Sequence, residues 1–231
     1  MSADGSVIVG FDNGLLTATE AFRWTSSGGM VGLGDLTGGE FYSSAQDVSA
    51  DGSVIVGYGY SDLGREAFRW TSEDGMVGLG DLPGGNFYSI AKGVTSDGMI
   101  VVGYSKSDSG WEAFLWTGEG GMIGLGDLPG GDFESRAMGV SADGSVIVGS
   151  SDSDSGSEAF RWTSEGGMQT IASILSTAGV DLTGWTLSSA NGVSADGYTI
   201  VGSGKRPDGL GEAWIADLSL MAIQENLWVK I

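Results

Sequence analysis

Residues 64–85 read GREAFRWTSEDGMVGLGDLPGG, and residues 110–131 repeat that pattern as GWEAFLWTGEGGMIGLGDLPGG. The tryptophan of the shared E-A-F-x-W motif recurs every 46 residues, at Trp24, Trp70, Trp116 and Trp162. An Asp-Gly pair in the motif S/T-x-D-G recurs five times, at Asp4, Asp51, Asp97, Asp143 and Asp196. A fixed period of this length is the signature of a repeat architecture. The chain is therefore predicted to contain five repeats.

Each repeat contains four short segments with the features of β-strands, separated by glycine-rich turns. In one repeat these segments are 90–95, 99–104, 112–117 and 122–128. No segment keeps a period of 3.6 residues, so helices should be few. Four strands in about 46 residues, repeated five times, predict an all-β fold and a five-bladed β-propeller.

The repeat boundaries predict a single repeat domain over residues 1–218, with units at about 1–44, 45–90, 91–136, 137–189 and 190–218. The first unit lacks its small-residue first strand and the fifth lacks the Gly-Met strand, so ring closure stays open. The tail 219–231 matches nothing else in the repeat and is either a closing strand or a non-native extension. An open ring would expose strand edges, and a homodimer is then expected.

Two parts of the repeat are predicted to serve architecture. The Asp-Gly pair suits the hairpin turn between the first and second strands, where glycine supplies a positive φ. The Phe and Trp of E-A-F-x-W lie two residues apart and hence on one face of the third strand. We expect these rings to fill the gap between neighbouring blades.

Composition excludes several kinds of chemistry. Thirty acidic and ten basic residues give a net charge of −20, which would repel a phosphate backbone, so no nucleic-acid partner is expected. The chain has neither cysteine nor histidine, which excludes Ser-His-Asp and Cys-His catalysis. No stretch approaches the ~20 apolar residues that span a bilayer, so membrane insertion is not expected. No basic segment precedes an apolar run at Met1, so no signal peptide is visible.

The motifs A-x-x-V-S-A-D-G-S-V-I-V-G, E-A-F-R-W-T, G-M-x-x-L-G-D-L-P-G-G and G-E-A-W-I-A-D-L occur together over residues 2–218. In this combination the chain resembles the bacterial HAF-type extracellular repeat proteins. The resemblance implies an exported or surface-associated protein, located outside the cell or on its surface. It brings no catalytic residues to transfer.

One rim of the predicted propeller collects the residues that differ between repeats. Because strands alternate in direction, the loops between second and third strands emerge beside the crossovers that link one blade to the next. Aromatic faces with nearby carboxylates suit sugar rings, which offer C–H faces and hydroxyls. The candidate ligand-binding residues on this rim are Tyr58, Tyr60, Asp62, Glu66, Phe87, Tyr88, Tyr104, Asp108, Trp111 and Glu112.

The fourth repeat offers a candidate calcium site at Asp152, Asp154 and Glu158. The segment 152–156, DSDSG, resembles the start of a calcium-binding loop, because oxygen-rich clusters with glycine can hold this cation. The alternative is an Asp-x-Gly turn followed by a glutamate at the end of a strand. No other cofactor is expected.

Three functions are compatible with this pattern. The first is a non-catalytic module that binds glycans or another surface polymer through several similar sites, whose weak affinities add by multivalency. The second is a carboxylate-dependent hydrolase of the glycosidase type, with a single pocket on the same rim. The third is a protein-interaction scaffold. A pair of carboxylates found in one blade alone would favour the hydrolase.

Overall fold

The computed structural model describes residues 1–13 and 19–219. Over these residues it contains eighteen β-strands and one short α-helix, which confirms the predicted all-β class. The chain divides into two compact units, Met1–Gly126 and Asp127–Ile231, called here the N-terminal and C-terminal units. The single repeat domain and its five unit boundaries stay a prediction.

The N-terminal unit holds the strands of the first three repeats. The first repeat forms β1 (Val7–Asn13), β2 (Thr19–Thr25) and β3 (Gly29–Gly32). The second forms β4 (Gly38–Val48), β5 (Ile55–Ser61), β6 (Gly64–Thr71) and β7 (Gly75–Gly78). The third forms β8 (Ser89–Val94), β9 (Ile100–Lys106), β10 (Trp111–Thr117) and β11 (Gly121–Gly124).

Consecutive strands of each repeat pair antiparallel, as in a meander. Neighbouring repeats meet through a parallel bridge at equivalent positions. Thr19 bridges Tyr42 between the first two repeats, and Arg65 bridges Tyr88 between the second and third. This bridge brings the second-to-third-strand hairpin of one repeat next to the start of the following repeat.

The core of the N-terminal unit lies between successive sheets, as the E-A-F-x-W motif predicts. Phe68 is fully buried and packs with Ala21 of the preceding repeat, with Trp70 beside it. One repeat later, Phe114 is fully buried and packs with Val56, with Trp116 beside it. The prediction that Phe and Trp fill the space between sheets is confirmed here.

The Asp-Gly turns have the predicted geometry. In the second repeat, the Asp51 carboxylate accepts the Ser53 amide N–H at 2.9 Å and the Ser49 hydroxyl at 2.7 Å. Gly52 follows with φ +74°, a conformation that costs an L residue energy. These hydrogen bonds lower the pKa of Asp51 to about 2, with the Ser49 hydroxyl making the largest contribution. The Asp-Gly turn therefore has a structural role.

The fourth strand of each repeat is shorter than predicted. In the third repeat it ends at Gly124, and not at residue 128. The Leu125 N–H still donates to the Ala113 carbonyl, but the Gly126 N–H donates to the Glu112 carboxylate. The Glu112 carboxylate thus takes the place of the next backbone acceptor, and regular strand pairing ends there.

The C-terminal unit holds the fourth and fifth repeats. The fourth forms β12 (Ser135–Val140), β13 (Ile147–Ser153), β14 (Gly156–Thr163) and β15 (Gly167–Thr170). Helix α1 (Ile171–Thr177) follows directly. The fifth forms β16 (Thr186–Val193), β17 (Thr199–Lys205) and β18 (Gly211–Asp217). The expected scarcity of helices is confirmed over the described residues.

Helix α1 begins where the other repeats carry the L-G-D-L segment. The Thr170 hydroxyl accepts the Ser173 N–H at 3.0 Å and caps the helix. Ile171 is fully buried in an apolar cluster that also contains Leu187, Ile200 and Ala216. Ile171 occupies the position of Leu33 and Leu79 in earlier repeats, which are also buried, so the helix begins at a core position of the repeat.

Two further predictions concern the chain as a whole. Of the tail 219–231, only Ser219 lies within the described residues, so the closing-strand and extension hypotheses lie outside them. Among the helices that the structure describes, none is long and apolar enough to cross a membrane.

Candidate binding site

Five of the six tyrosines of the chain lie in one cluster of the N-terminal unit, together with one tryptophan. The strands β4, β5, β9 and β10 supply most of these rings, and one precedes β8. We call this group the tyrosine cluster; its members are Tyr42, Tyr58, Tyr60, Tyr88, Tyr104 and Trp111. All six side chains are partly buried.

The first half of the cluster forms on one face of the second repeat's sheet. Tyr58 and Tyr60 are alternate residues of β5 and therefore project from the same face. Tyr42 contacts both, with ring centroids 5.9 Å from Tyr58 and 5.5 Å from Tyr60. Its hydroxyl lies 3.3 Å from that of Tyr58. This hydrogen bond, together with burial, raises the pKa of Tyr42 to about 12, so the phenol is neutral at physiological pH.

Arg65 lies at the centre of the cluster. Its guanidinium carbon is 5.0 Å from the ring centres of Tyr58 and Tyr88 and 5.2 Å from that of Tyr60. The guanidinium donates to the hydroxyl of Tyr60 at 2.6 Å and to that of Tyr88. Its buried Nε has no hydrogen-bond partner. The cation is thus surrounded by aromatic faces and hydroxyls.

The second half of the cluster belongs to the third repeat. The Trp111 ring makes edge-on contacts with Tyr88 at 4.8 Å and with Tyr104 at 5.6 Å, between ring centroids. Lys106 is the direct cross-strand partner of Trp111, and its Nζ lies 4.3 Å from the centre of that ring. Tyr88 therefore belongs to both halves, since it contacts Arg65 on one side and Trp111 on the other.

The cluster repeats by position. Tyr42, Tyr58, Tyr60 and Arg65 are each 46 residues before Tyr88, Tyr104, Lys106 and Trp111, respectively. One more period leads to the fourth repeat, in the C-terminal unit. There the four positions carry no aromatic ring and no cation: they are Glu134, Ser150, Asp152 and Ser157.

The predicted meeting of hairpin loops and crossovers on one rim is observed within the units. A methyl group added at Gly84 of a crossover would lie 2.0 Å from Oδ1 of Asp108 in the hairpin of the repeat that it enters. Asp62 stands in the same relation to Gly38. Phe87 is partly buried, and its carbonyl oxygen lies over Gly64. Asp62 and Asp108 are exposed, and both lie within a few residues of members of the tyrosine cluster in the sequence.

Glu66 and Glu112 each hold a loop of their repeat, and their part in ligand binding stays a prediction. The Glu66 carboxylate accepts the Gly80 N–H at 3.0 Å, and the Glu112 carboxylate accepts the Gly126 N–H at 3.1 Å. Glu20 accepts the Gly34 N–H in the same way at 2.9 Å. The hydrogen bond recurs in three repeats, which identifies these glutamates as supports for the loop after the fourth strand.

The carboxylates of the candidate calcium site lie beside different partners. Within the described residues no group of three or more acidic side chains is arranged to hold a metal ion. Glu158 accepts the Ser153 hydroxyl at 2.6 Å, and the Asp154 carboxylate lies against Gly130 of the crossover. Asp152 and Ser157 are cross-strand partners in β13 and β14. The segment forms the Asp-x-Gly turn of the alternative interpretation, and calcium binding by these three residues stays a prediction.

The candidates from the sequence did not include Tyr42 of the cluster, nor the two cations that lie against it, Arg65 and Lys106. Arg65 and Lys106 occupy positions where successive repeats differ most. A comparison of equivalent positions would have found them, because cations alternate there with aromatic residues.

A depression of about 700 Å³ lies in the N-terminal unit at the ends of the strands opposite to this rim. Arg69, Asp97, Met99, Trp116 and Glu119 are among its lining residues. Arg69 donates through Nε to the Gly98 carbonyl at 3.4 Å. Asp97 and Trp116 belong to motifs found in every one of the first four repeats, which indicates a groove made by the scaffold.

Comparison with known proteins gives a likeness of fold. No protein-family model matches the chain, and no curated protein matches it. TolB from Acinetobacter baumannii superposes with a TM-score of 0.63 and 13% identity, over 94% of this chain and 51% of that one. A putative TolB from Agrobacterium tumefaciens gives 0.61 and 15%, over 94% and 75%.

The chain thus spans about half the length of the first TolB structure. TolB contains a β-propeller domain, and the likeness supports a β-propeller-like all-β fold for this chain. At these identities the likeness concerns the fold alone.

Proposed function

We propose that this chain is a non-catalytic binding module that recognises glycans or another surface polymer through one rim of a β-propeller. The tyrosine cluster is the observation that carries this proposal. It assembles six aromatic rings with hydroxyl groups and two cations on neighbouring repeats. Aromatic faces stack on the C–H faces of sugar rings, while hydroxyls and cations orient polar substituents.

The same proposal includes the architecture and the location of the protein. Five repeats would close a five-bladed ring, and the resemblance to HAF-type repeat proteins favours an extracellular or cell-surface location. Both are supported by the repeat motifs and by the TolB-like fold. Small-angle scattering would test the ring, because an open array of five sheets is longer than a closed disc.

A glycosidase is less well supported. Hydrolysis of a glycosidic bond needs two carboxylates with different environments in one pocket. Burial raises the pKa of Asp81, with a smaller effect from Glu66, and burial likewise raises the pKa of Asp35 beside Glu20. Because the arrangement recurs in consecutive repeats and each glutamate supports a loop, these pairs fit architecture better than catalysis.

The test is a glycan array followed by calorimetry, with variants that borrow residues from other repeats. Tyr58→Ser and Trp111→Ser install the residues found at the equivalent positions of the fourth repeat, Ser150 and Ser157. We expect each variant to weaken binding by about tenfold, since stacking on one ring contributes on the order of 1 to 2 kcal/mol.

Tyr198→Ser is the matched control for these variants. Tyr198 is the sixth tyrosine, is exposed, and stands where the fourth repeat carries Ser145. Its loss should leave binding unchanged. An array on which the wild-type protein binds no glycan would overturn the proposed function, as would equal losses for the control and the cluster variants.

A further inference from the structure

The tyrosine cluster concentrates positive charge in a strongly acidic chain. The N-terminal unit contains five basic residues, Arg23, Arg65, Arg69, Lys92 and Lys106. Arg65 and Lys106 lie against rings of the cluster. Lys92 donates through Nζ to Gln46 Oε1 at 2.9 Å. Two of the five cations of this unit thus lie directly against the tyrosine cluster.

Within the described residues, no acidic side chain forms an ion pair with Arg65 or Lys106. Across residues 1–13 and 19–219, ion pairs within 4.0 Å form only at other cations, Arg136 and Arg206. The guanidinium of Arg65 has two hydroxyl partners and a buried Nε without one. Hydroxyls and ring faces stabilise a cation without cancelling its charge. Both cations therefore keep the capacity to bind an anionic group.

The fold does not require these cations. At the positions equivalent to Arg65 and Lys106 the fourth repeat carries Ser157 and Asp152. Glu134, which stands where the cluster has Tyr42 and Tyr88, forms an ion pair with Arg136 at 2.7 Å. The same scaffold thus accommodates opposite charge, so the cation-rich composition of the second and third repeats is a property of their surface.

From these observations we infer that the ligand is an acidic polysaccharide, whose sugar carboxylates bind Arg65 and Lys106 while its rings stack on the tyrosine cluster. The inference rests on the proposed function and specifies its ligand class. A polymer is favoured over a single sugar because equivalent positions on consecutive repeats form two adjacent subsites. Tyr88 lies between these subsites and contacts both. A chain with a carboxylate on successive sugar units can contact both cations at once.

The experiment compares acidic polysaccharides with the same polymers after reduction of their carboxyl groups to primary alcohols. Polygalacturonate, alginate and hyaluronan are suitable probes, in calcium-free buffer. We expect at least one acidic polymer to bind about tenfold or more tightly than its reduced form. We expect that preference to shrink between about 0.1 M and 0.5 M salt, because exposed charges are screened.

Two variants remove the charge and keep the aromatic surface. Arg65→Trp and Lys106→Tyr each install the residue that the neighbouring repeat carries at the equivalent position, Trp111 and Tyr60. The double variant should lose the preference for the acidic polymer and keep its affinity for the reduced polymer within about threefold. Arg69→Leu is the control: it removes one positive charge from the same strand and installs the residue of the third repeat, Leu115. It should keep the preference.

The outcomes separate this inference from the proposed function. Equal binding of the acidic and reduced forms of all three polymers, or a preference that survives in the double variant, overturns the acidic ligand and leaves glycan binding intact. Binding to neutral glycans of the array without binding to any acidic polymer likewise overturns the acidic ligand and leaves glycan binding intact. Tighter binding of single-stranded poly(dT) than of any polysaccharide overturns the inference in favour of a nucleic acid. If the protein binds no glycan at all, the proposed function itself is overturned.

Discussion

The Ser89 hydroxyl accepts the amide N–H of Ala67 from the neighbouring sheet at 2.9 Å. The same hydroxyl donates to the Gly80 carbonyl, so that one buried side chain ties two repeats together. Ser43 makes the equivalent pair of hydrogen bonds one repeat earlier, with Ala21 and Gly34. A fully buried serine at this position satisfies two backbone groups that no strand partner reaches.

Ser89→Ala should therefore destabilise the protein by about 1 to 3 kcal/mol, because it leaves the buried Ala67 N–H and the partly buried Gly80 carbonyl without this partner. Urea unfolding followed by tryptophan fluorescence measures the loss. Ser109→Ala, in an exposed hairpin loop, is the control and should change the free energy of unfolding by less than about 0.5 kcal/mol. A similar effect of the two substitutions would contradict the assigned role of Ser89.

Two glycines allow the cost of backbone strain to be separated from the cost of lost packing. Gly52 has φ +74°, and an added methyl group would lie 2.4 Å from Cγ2 of Val7. Gly75 has φ +70°, with no atom within 4 Å of that position. Gly75→Ala should cost about 1 kcal/mol from strain alone. Gly52→Ala should cost clearly more, by about 1 to 3 kcal/mol, because Val7 must move. Both variants are measured in the same unfolding assay. Equal losses of stability would show that Val7 moves away from the added methyl group without cost.

The strands were predictable because each repeat presents the same local signals. E-A-F-x-W places Phe68 and Trp70 on one face, and the Asp-Gly pair fixes the turn before the next strand. Each signal acts within a few residues, so every repeat gives a separate indication of the same strands and turns. Local signals carry less information about side-chain partners: the spacing of Asp154 and Glu158 suggests a common ligand, but in the hairpin their carboxylates lie beside different partners.

The tyrosine cluster was only partly predictable. Tyr58, Tyr60, Tyr104 and Trp111 were found from their variation between repeats. Arg65 was not, because its partner Tyr88 is 23 residues away and reaches it through a parallel bridge between repeats. Periodicity within a strand carries no information on that contact.

Burial makes Asp47 a source of pH-dependent instability. Its carboxylate accepts the Val94 N–H at 3.0 Å, and burial raises its pKa despite this hydrogen bond. A carboxyl whose pKa is higher in the folded than in the unfolded protein takes up protons on folding, so it favours the fold at low pH and loses this contribution as pH rises above about 4.

Asp47→Asn keeps an acceptor oxygen and removes the charge. We expect this variant to unfold a few degrees above the wild-type protein at neutral pH, with the difference vanishing towards pH 3.5 to 4, as follows from the ordinary carboxyl pKa of about 3.9. Thermal melts across this pH range measure it. If Asp47→Asn and the wild-type protein are equally stable at neutral pH, other interactions in the folded protein offset the cost of burying the Asp47 carboxylate.

Trp214 occupies the position where the preceding repeats carry Phe68, Phe114 and Phe160. Its indole Nε1 is buried without a hydrogen-bond partner. Trp214→Phe removes this unsatisfied donor and loses part of the ring, and these effects oppose each other. The substitution should change the free energy of unfolding by less than about 1 kcal/mol, whereas Trp214→Ala should cost about 3 to 5 kcal/mol. Chemical denaturation of both variants tests this, and a large loss for Trp214→Phe would indicate an acceptor for the indole.

Tyr88 has a position that makes the two halves of the cluster energetically interdependent. Its hydroxyl accepts from Arg65 and its ring rests against the edge of Trp111. If the two proposed subsites bind ligand, a displacement of this ring at one of them would change the environment of the other and couple their occupancy through a single side chain. Binding free energies of variants at Arg65 and Trp111 should then depart from additivity, and the departure should disappear once Tyr88 is replaced.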